Sequence, residues 1–273
     1  MASPSYTYTH SPPLTPLSTL PPQSVSTSSN PPIAHLMTSI LLLRQPRPPP
    51  SQQQQDPPQP QAAPSQNPSS SAHHHRRLRQ QQQPPPQILL LRRAPTDSYP
   101  LKWETPGGSV DPADPSVLAA AARELHEEAR LPDPRFLTTV GMARSVVDAR
   151  EEAARMGAWG IPPEAEDAKD VDLEEGLDGL RVKVTTFVES GEVWGKLNLV
   201  ATVAEGVEEA VVTDPEEHVD WGWFTEDEVR RGRAWRVGED GLGRDTVLEF
   251  TSQAVWGSIL ESFRVGRELG VIG

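Results

Sequence analysis

Apolar positions recur along this chain in two periods, and they predict an alternation of strands and helices. His35–Arg44 and Gln87–Arg93 each carry four consecutive aliphatic residues, Ile40–Leu43 and Ile88–Leu91, and read as two similar strands. Phe136–Met142 and His218–Phe224 read as strands as well. Arg181–Glu189 and Val193–Glu205 alternate enough to be a strand pair, with Gly191 at the turn. A helical period begins after Asp114-Pro115, an expected N-cap followed by proline at the first helical position. From there Leu118, Ala121, Ala122, Leu125 and Ala129 fall on one face. Thr225–Glu228 forms a capping box, and Phe224 is placed to staple onto Val229. A last helix, from about Asp245 to Arg267, puts Leu248, Val255, Ile259 and Phe263 near one face. Mixed strands interleaved with two or three helices suit an α/β/α layered domain with a mixed sheet.

Composition divides this pattern. Residues 1–86 hold 20 of the 30 prolines and none of the 19 glycines. Residues 1–32 are dominated by Ser, Thr, Pro and Tyr and are expected to be a disordered tail. Residues 45–86 are Pro/Gln/Ser low complexity, with glutamine tracts at 52–55 and 80–83 and a histidine triplet at 73–75. The expectation is therefore a tail over 1–32 and one domain over 33–273, interrupted by the 45–86 tract. Residues 148–180 form a second, acidic insertion that tolerates helix.

Charge is just as uneven. Asp56 and five arginines give residues 1–86 a net +4, so the remainder carries −17 of the chain's −13. Such a domain lacks the basic surface that binds duplex nucleic acid. It would also repel a polyphosphate unless a divalent cation mediates. The absence of cysteine excludes disulfides, zinc–thiolate sites and a cysteine nucleophile. The apolar run Ser39–Leu43 is too short to span a bilayer, and no secretory signal is evident, so a cytoplasmic location and no membrane partner are expected.

The chemistry concentrates in residues 107–131. Glu124, Glu127 and Glu128 lie at i, i+3 and i+4, away from the apolar stripe. Carboxylates gathered this closely repel one another unless a hard cation takes their oxygens as ligands. Arg123 stands four residues before Glu127, within reach to hold it. Gly107 and Gly108 let backbone approach where a Cβ would block it. His126 lies off the carboxylate face. Trp103, Trp221 and Trp223 are candidates to stack on a base.

This run resembles the Nudix box. Gly108 fits its leading glycine, Arg123-Glu124-Leu125-His126-Glu127-Glu128-Ala129 its helical signature and Leu131 its final apolar position. Trp103–Gly107 is similar to the family's lead-in. The chain departs from the pattern twice. Asp114 stands where Glu is expected and one residue too early, and Arg130 replaces the closing glycine.

The resemblance implies a Nudix-like α/β/α sandwich hydrolysing a phosphoanhydride bond in a nucleoside diphosphate linked to another moiety, with Mg2+ (Mn2+ as an alternative) as cofactor. It implies Glu127 and Glu128 as principal metal ligands and Glu124 as a further ligand or the general base. Arg123 would orient Glu127, and the Gly107 carbonyl would complete the coordination. Gly108 and Trp103 would contact a small nucleotide substrate. Asp214–His218 resembles the segment from which a further carboxylate joins the site, which makes Glu217 the candidate. In the family two early strands pair as neighbours, so the 45–86 tract reads as an insertion between them, tolerable because loop-closure entropy grows slowly with length. Two rival readings are a nucleotide-binding module without hydrolysis and a scaffold whose PxxP-like tract docks into a protein partner's aromatic groove.

Overall fold

The computed structural model describes residues 6–30, 32–47, 83–142, 169–173, 182–237 and 241–273. Strand β2 (His35–Arg44) is central. Along one edge it pairs parallel with β8 (Glu192–Thr202), from His35 opposite Trp194 to Leu42 opposite Ala201. The far edge of β8 is shared by two antiparallel partners, β5 (Arg135–Val140) and β7 (Val182–Glu189). Ser190 and Gly191, both at positive φ, close the β7–β8 hairpin, the twist that favours such two-residue turns.

At its other end β2 pairs antiparallel with β3 (Gln87–Arg93), Leu43 opposite Ile88 and Arg44 opposite Gln87. The two strands are therefore neighbours, as the insertion reading expects. Strand β3 also carries β4 (Trp103–Glu104) and β9 (His218–Thr225).

The aliphatic runs of β2 and β3 are buried on both faces because helices cover both. Ile40, Leu42, Leu89 and Leu91 join one core with Leu118, Leu125 and Ala129 of helix α3 (Val117–Ala129). Leu41, Leu43, Ile88 and Leu90 join the other with Trp256, Ile259 and Phe263 of helix α5 (Gln253–Glu268). This is the layered α/β/α sandwich with a mixed sheet. Between β9 and α5, the short helix α4 (Glu226–Arg231) starts with the expected capping box of Thr225 and Glu228. No helix among the described residues is long and apolar enough to cross a membrane.

Several expectations are corrected. Ser116, not Asp114, caps α3: its Oγ accepts from the Ala119 N–H at 3.2 Å. The last helix starts at Gln253, capped by Ser252, and residues 243–247 instead form strand β11, paired with β10 (Arg233–Val237). Leu248 is buried ahead of that helix rather than on its face. Most of 148–180 lies outside the described residues, but Lys169–Leu173 is a strand, β6, paired with β7. The 45–86 tract lies largely outside them too.

The largest correction concerns the N-terminal segment expected to be disordered. Thr9–His10 forms strand β1, parallel to β5, and short helices α1 (Thr15–Thr19) and α2 (Pro22–Thr27) follow, each with proline in its first turn. Leu14, Leu17 and Val25 are buried in the same core as α3. Few apolar residues are needed, because each enters a groove that the domain already provides.

Arg130 ends α3 in the left-handed region, at φ 56° and ψ 21°, its N–H donating to the His126 carbonyl at 3.0 Å. Glycine would hold this position without strain. The guanidinium recovers part of the difference by lying at the negative end of the helix.

Burial of Leu17 predicts that Leu17→Ala lowers unfolding stability by about 2–5 kcal/mol, read from chemical denaturation. An unchanged midpoint would mean that residues 6–30 are detached in solution.

Candidate active site

The loop after β4 positions the site. Residues 106, 108 and 110 dock on β2: Ile40 N–H donates to the Pro106 carbonyl at 2.7 Å, Thr38 N–H to Gly108 at 2.8 Å, and Val110 N–H to the Leu36 carbonyl at 2.9 Å. This pairing turns Gly107 outward, and its N–H donates to Glu128 Oε2 at 2.7 Å. Gly107 has φ +146°, and a Cβ there would sit 2.2 Å from the Thr38 carbonyl oxygen. A Cβ on Gly108 would meet the Glu124 carboxylate at 2.5 Å. Gly107 is thus required by its close approach to backbone, whereas at Gly108 a Cβ would displace only the end of the Glu124 side chain. Ser39 and Thr105 tie the loop's base to β2 through their hydroxyls.

Arg123 gathers the acids of α3. Its Nη1 donates to Glu124 Oε1 at 2.8 Å and to Glu127 Oε2 at 2.9 Å, and its Nη2 to the Ser109 carbonyl at 3.0 Å. Nε and Nη2 also grip both oxygens of Asp114, at 3.2 and 3.0 Å. Those hydrogen bonds to Asp114 are the main reason the guanidinium's pKa is raised. Asp114 therefore anchors Arg123 instead of capping the helix.

Glu128 is about as little exposed as Glu124 and Asp114. Burial drives its carboxyl well above the usual carboxylate range, against the lowering effect of the Gly107 N–H, and Glu104, Glu124 and Glu217 push it the same way as burial. Glu124 is raised by burial as well, with Arg123 opposing. Glu217 arrives from a different segment. The Asp214 carboxylate accepts from Glu216 N–H, and the Asp214 carbonyl accepts from Glu217 N–H at 3.1 Å and His218 N–H at 2.7 Å. This turn delivers Glu217 to Glu128 at the start of β9. The ligand atoms of Glu128, Glu217 and His218 all lie within 4.8 Å of one another. Glu124 and Glu127, expected to converge with Glu128, are held by Arg123 and stand outside that group, and Glu127 is the most exposed of the three box acids.

Trp103 is not available to a substrate. It is fully buried, packs edge-on against Phe224 with ring centroids 5.0 Å apart, and donates its Nε1–H to the Val247 carbonyl. Trp223 lies under the Arg44 guanidinium at 4.3 Å, and Trp221 is partly buried against the core. His126 stands beside Tyr6, their rings 5.4 Å apart and away from the acids.

Three groups beside the box are not singled out by the sequence pattern. Glu104 accepts from Arg93 Nη1 at 2.5 Å and lies near Glu128. Lys196 on β8 is half-buried and its pKa is lowered by desolvation, with Glu104 and Glu128 drawing it back up. His218 is buried with Nε2 3.6 Å from Glu104 Oε1 and 3.8 Å from Glu128 Oε1. A lone strand-end histidine, a strand lysine and a lead-in glutamate carry no spacing signal of their own.

A carboxyl whose folded pKa lies above its unfolded value favours folding when protonated, and that stability is lost as pH rises through the folded pKa. In chelator-treated protein, Glu128→Gln is expected to raise the melting temperature at pH 7–8, with the gain shrinking towards pH 4.5. A variant that melts lower at pH 8 would contradict the burial of this charge.

Residues 77–175 match the NUDIX domain family model. No curated protein matches the chain significantly. Among solved structures, the chain is similar to an Ap4A hydrolase from C. elegans, at 15% identity and a TM-score of 0.40 over 86% of this chain and 98% of that one. It is also similar to a Nudix hydrolase from M. smegmatis, at 17% identity and a TM-score of 0.41 over 86% and 85%. A MutT Nudix hydrolase from Burkholderia pseudomallei matches at 16% and 0.34 over 71% and 84%. The box on α3 and the glycines docked on β2 both fall within residues 77–175, the stretch that matches the NUDIX domain.

Proposed function

We propose that this protein hydrolyses a phosphoanhydride bond in a nucleoside diphosphate linked to another moiety, using Mg2+ or Mn2+. The observation that carries this reading is the meeting of Glu128 on α3 with Glu217 at the start of β9. Two carboxylates from distant segments, Glu128 half-buried and Glu217 exposed, repel one another unless a cation lies between them. The carboxylate oxygens of Glu128 and Glu217, with the Gly107 carbonyl beside them, are hard donors that fit such an ion, while Glu124 and Glu127 stay with Arg123. When bound, the cation neutralises phosphate charge and lowers the pKa of a bound water.

The chain's own groups supply the rest. Arg123 holds Glu124 and Glu127 in fixed rotamers, so neither must be ordered when substrate arrives. Its double grip on Asp114 keeps the guanidinium from swinging towards the phosphates as a competing cation. Glu124 and Glu127 are the candidates to take the proton of the attacking water, and both are within Arg123's reach. Lys196 places a half-buried ammonium near Glu104 and Glu128, within the field of the same acids. The two departures from the family pattern are absorbed locally, Arg130 as a left-handed cap and Asp114 as an anchor, which favours hydrolysis over a binding-only module.

A panel of dinucleoside polyphosphates, nucleotide sugars, dinucleotide cofactors and oxidised nucleotides, assayed with and without divalent cation, tests the reading. One class should be turned over only with cation, and Glu127→Gln should slow it at least about a hundredfold with an unchanged circular dichroism spectrum. Full activity of that variant would remove Glu127 from the reaction. Inactivity on every class in every cation would leave nucleotide binding as the function.

A further inference from the structure

His218 has no task in the reaction as written, and its surroundings call for one. Its side chain is 3% exposed. A buried imidazole normally finds partners for its ring nitrogens, yet Nδ1 has none among the described residues. Nε2 faces Glu104 Oε1 at 3.6 Å and Glu128 Oε1 at 3.8 Å, both beyond hydrogen-bond length. Glu104 Oε1 is already engaged by Arg93 Nη1. Nε2, the nitrogen opposite the unpartnered Nδ1, thus faces two carboxylates at a spacing too long for a hydrogen bond and suited to a cation between them.

That distance has a natural filling. Bonds of about 2.1 Å from imidazole nitrogen and carboxylate oxygen to one ion put neighbouring donors roughly 3.0–3.5 Å apart. The ligand atoms of Glu128, Glu217 and His218 lie within 4.8 Å of one another, so a modest contraction closes all three on a single cation. The backbone at this point is fixed, because His218 is paired with Arg93 in the sheet and its N–H is held by the Asp214 carbonyl.

We infer that His218 Nε2 is a direct ligand of the active-site cation, completing a mixed oxygen–nitrogen site with Glu128 and Glu217. This rests on the metal-dependent reading above and sharpens it. An imidazole ligand favours first-row transition ions over Mg2+, whose preference is for oxygen. The ion is then Mn2+ or a later divalent metal, and Mg2+ binds more weakly at the same place.

The test uses the full chain, stripped with chelator and loaded with one equivalent of Mn2+. Pulsed electron paramagnetic resonance should show a directly bound nitrogen whose coupling changes when histidine is 15N-labelled and vanishes in His218→Gln. Calorimetric titration should show that this variant loses Mn2+ affinity at least about tenfold, a loss that even an outer-shell partner produces, and loses less for Mg2+. If His218→Gln does not fold, the isotope response of the unaltered protein decides alone. Mn2+ bound without histidine coupling, or a coupling that persists in His218→Gln, overturns the inference and leaves the hydrolase reading standing. Failure of the unaltered protein to bind Mn2+ or Mg2+ at all overturns both.

Discussion

The site depends on the docking of residues 106–110 against β2. Three backbone hydrogen bonds hold that loop to the sheet, and the pairing leaves no space for a Cβ at Gly107, where the Thr38 carbonyl would lie 2.2 Å away. Because alternate residues face alternate sides, docking 106, 108 and 110 turns Gly107 towards α3. Its N–H then meets Glu128, and the absence of a side chain on Gly108 leaves room for the Glu124 carboxylate. The position of α3 over the β2–β3 core is fixed in turn by Leu118, Leu125 and Ala129. A purely apolar packing problem and a backbone-spacing problem therefore jointly decide where the charges fall.

Those charges are arranged at some cost to stability. Burial opposes ionisation of Glu124 and Glu128, and the nearby acids add to the opposition. One guanidinium offsets part of it: Arg123 reaches Asp114, Glu124, Glu127 and the Ser109 carbonyl at once. Sharing one ordered side chain among several acceptors restricts fewer rotamers than separate pairs would. What Arg123 does not reach is Glu128, whose neighbours are instead Gly107, Glu217 and His218. The box acids are thus divided between a permanent internal cation and a place suited to an exchangeable one.

Much of this was legible in the sequence, because the box is a local device. Helix period, carboxylate spacing and the Gly-Gly pair are all set within some twenty residues, and they identified the fold class, the face of α3 and the Arg123 clamp. Glu217 was reached only through a resemblance of its flanking residues. Long-range pairing was out of reach. Nothing local tells that β9 brings His218 beside Glu104, or that Lys196 on β8 lies near the same acids. A tryptophan ahead of a glycine loop, such as Trp103, looks alike in sequence whether it faces a cleft or the core. Composition averages over residues, so it does not reveal that Leu14, Leu17 and Val25 are each buried in the core beside α3. Asp114 and Ser116 are both fitting N-cap residues by type, and only the fold selects Ser116.

The central claim is that Glu128 and Glu217, far apart in the chain, hold one cation together. A double-mutant cycle in Mn2+ affinity, measured by calorimetry on the parent, Glu128→Gln, Glu217→Gln and the double variant, tests it most directly. Groups sharing one ligand couple strongly, whereas independent sites add. Each single change should weaken binding at least about tenfold, and the double variant should lose clearly less than the two losses summed. Strict additivity, or a Glu217→Gln variant that binds Mn2+ as the parent does, would contradict the account.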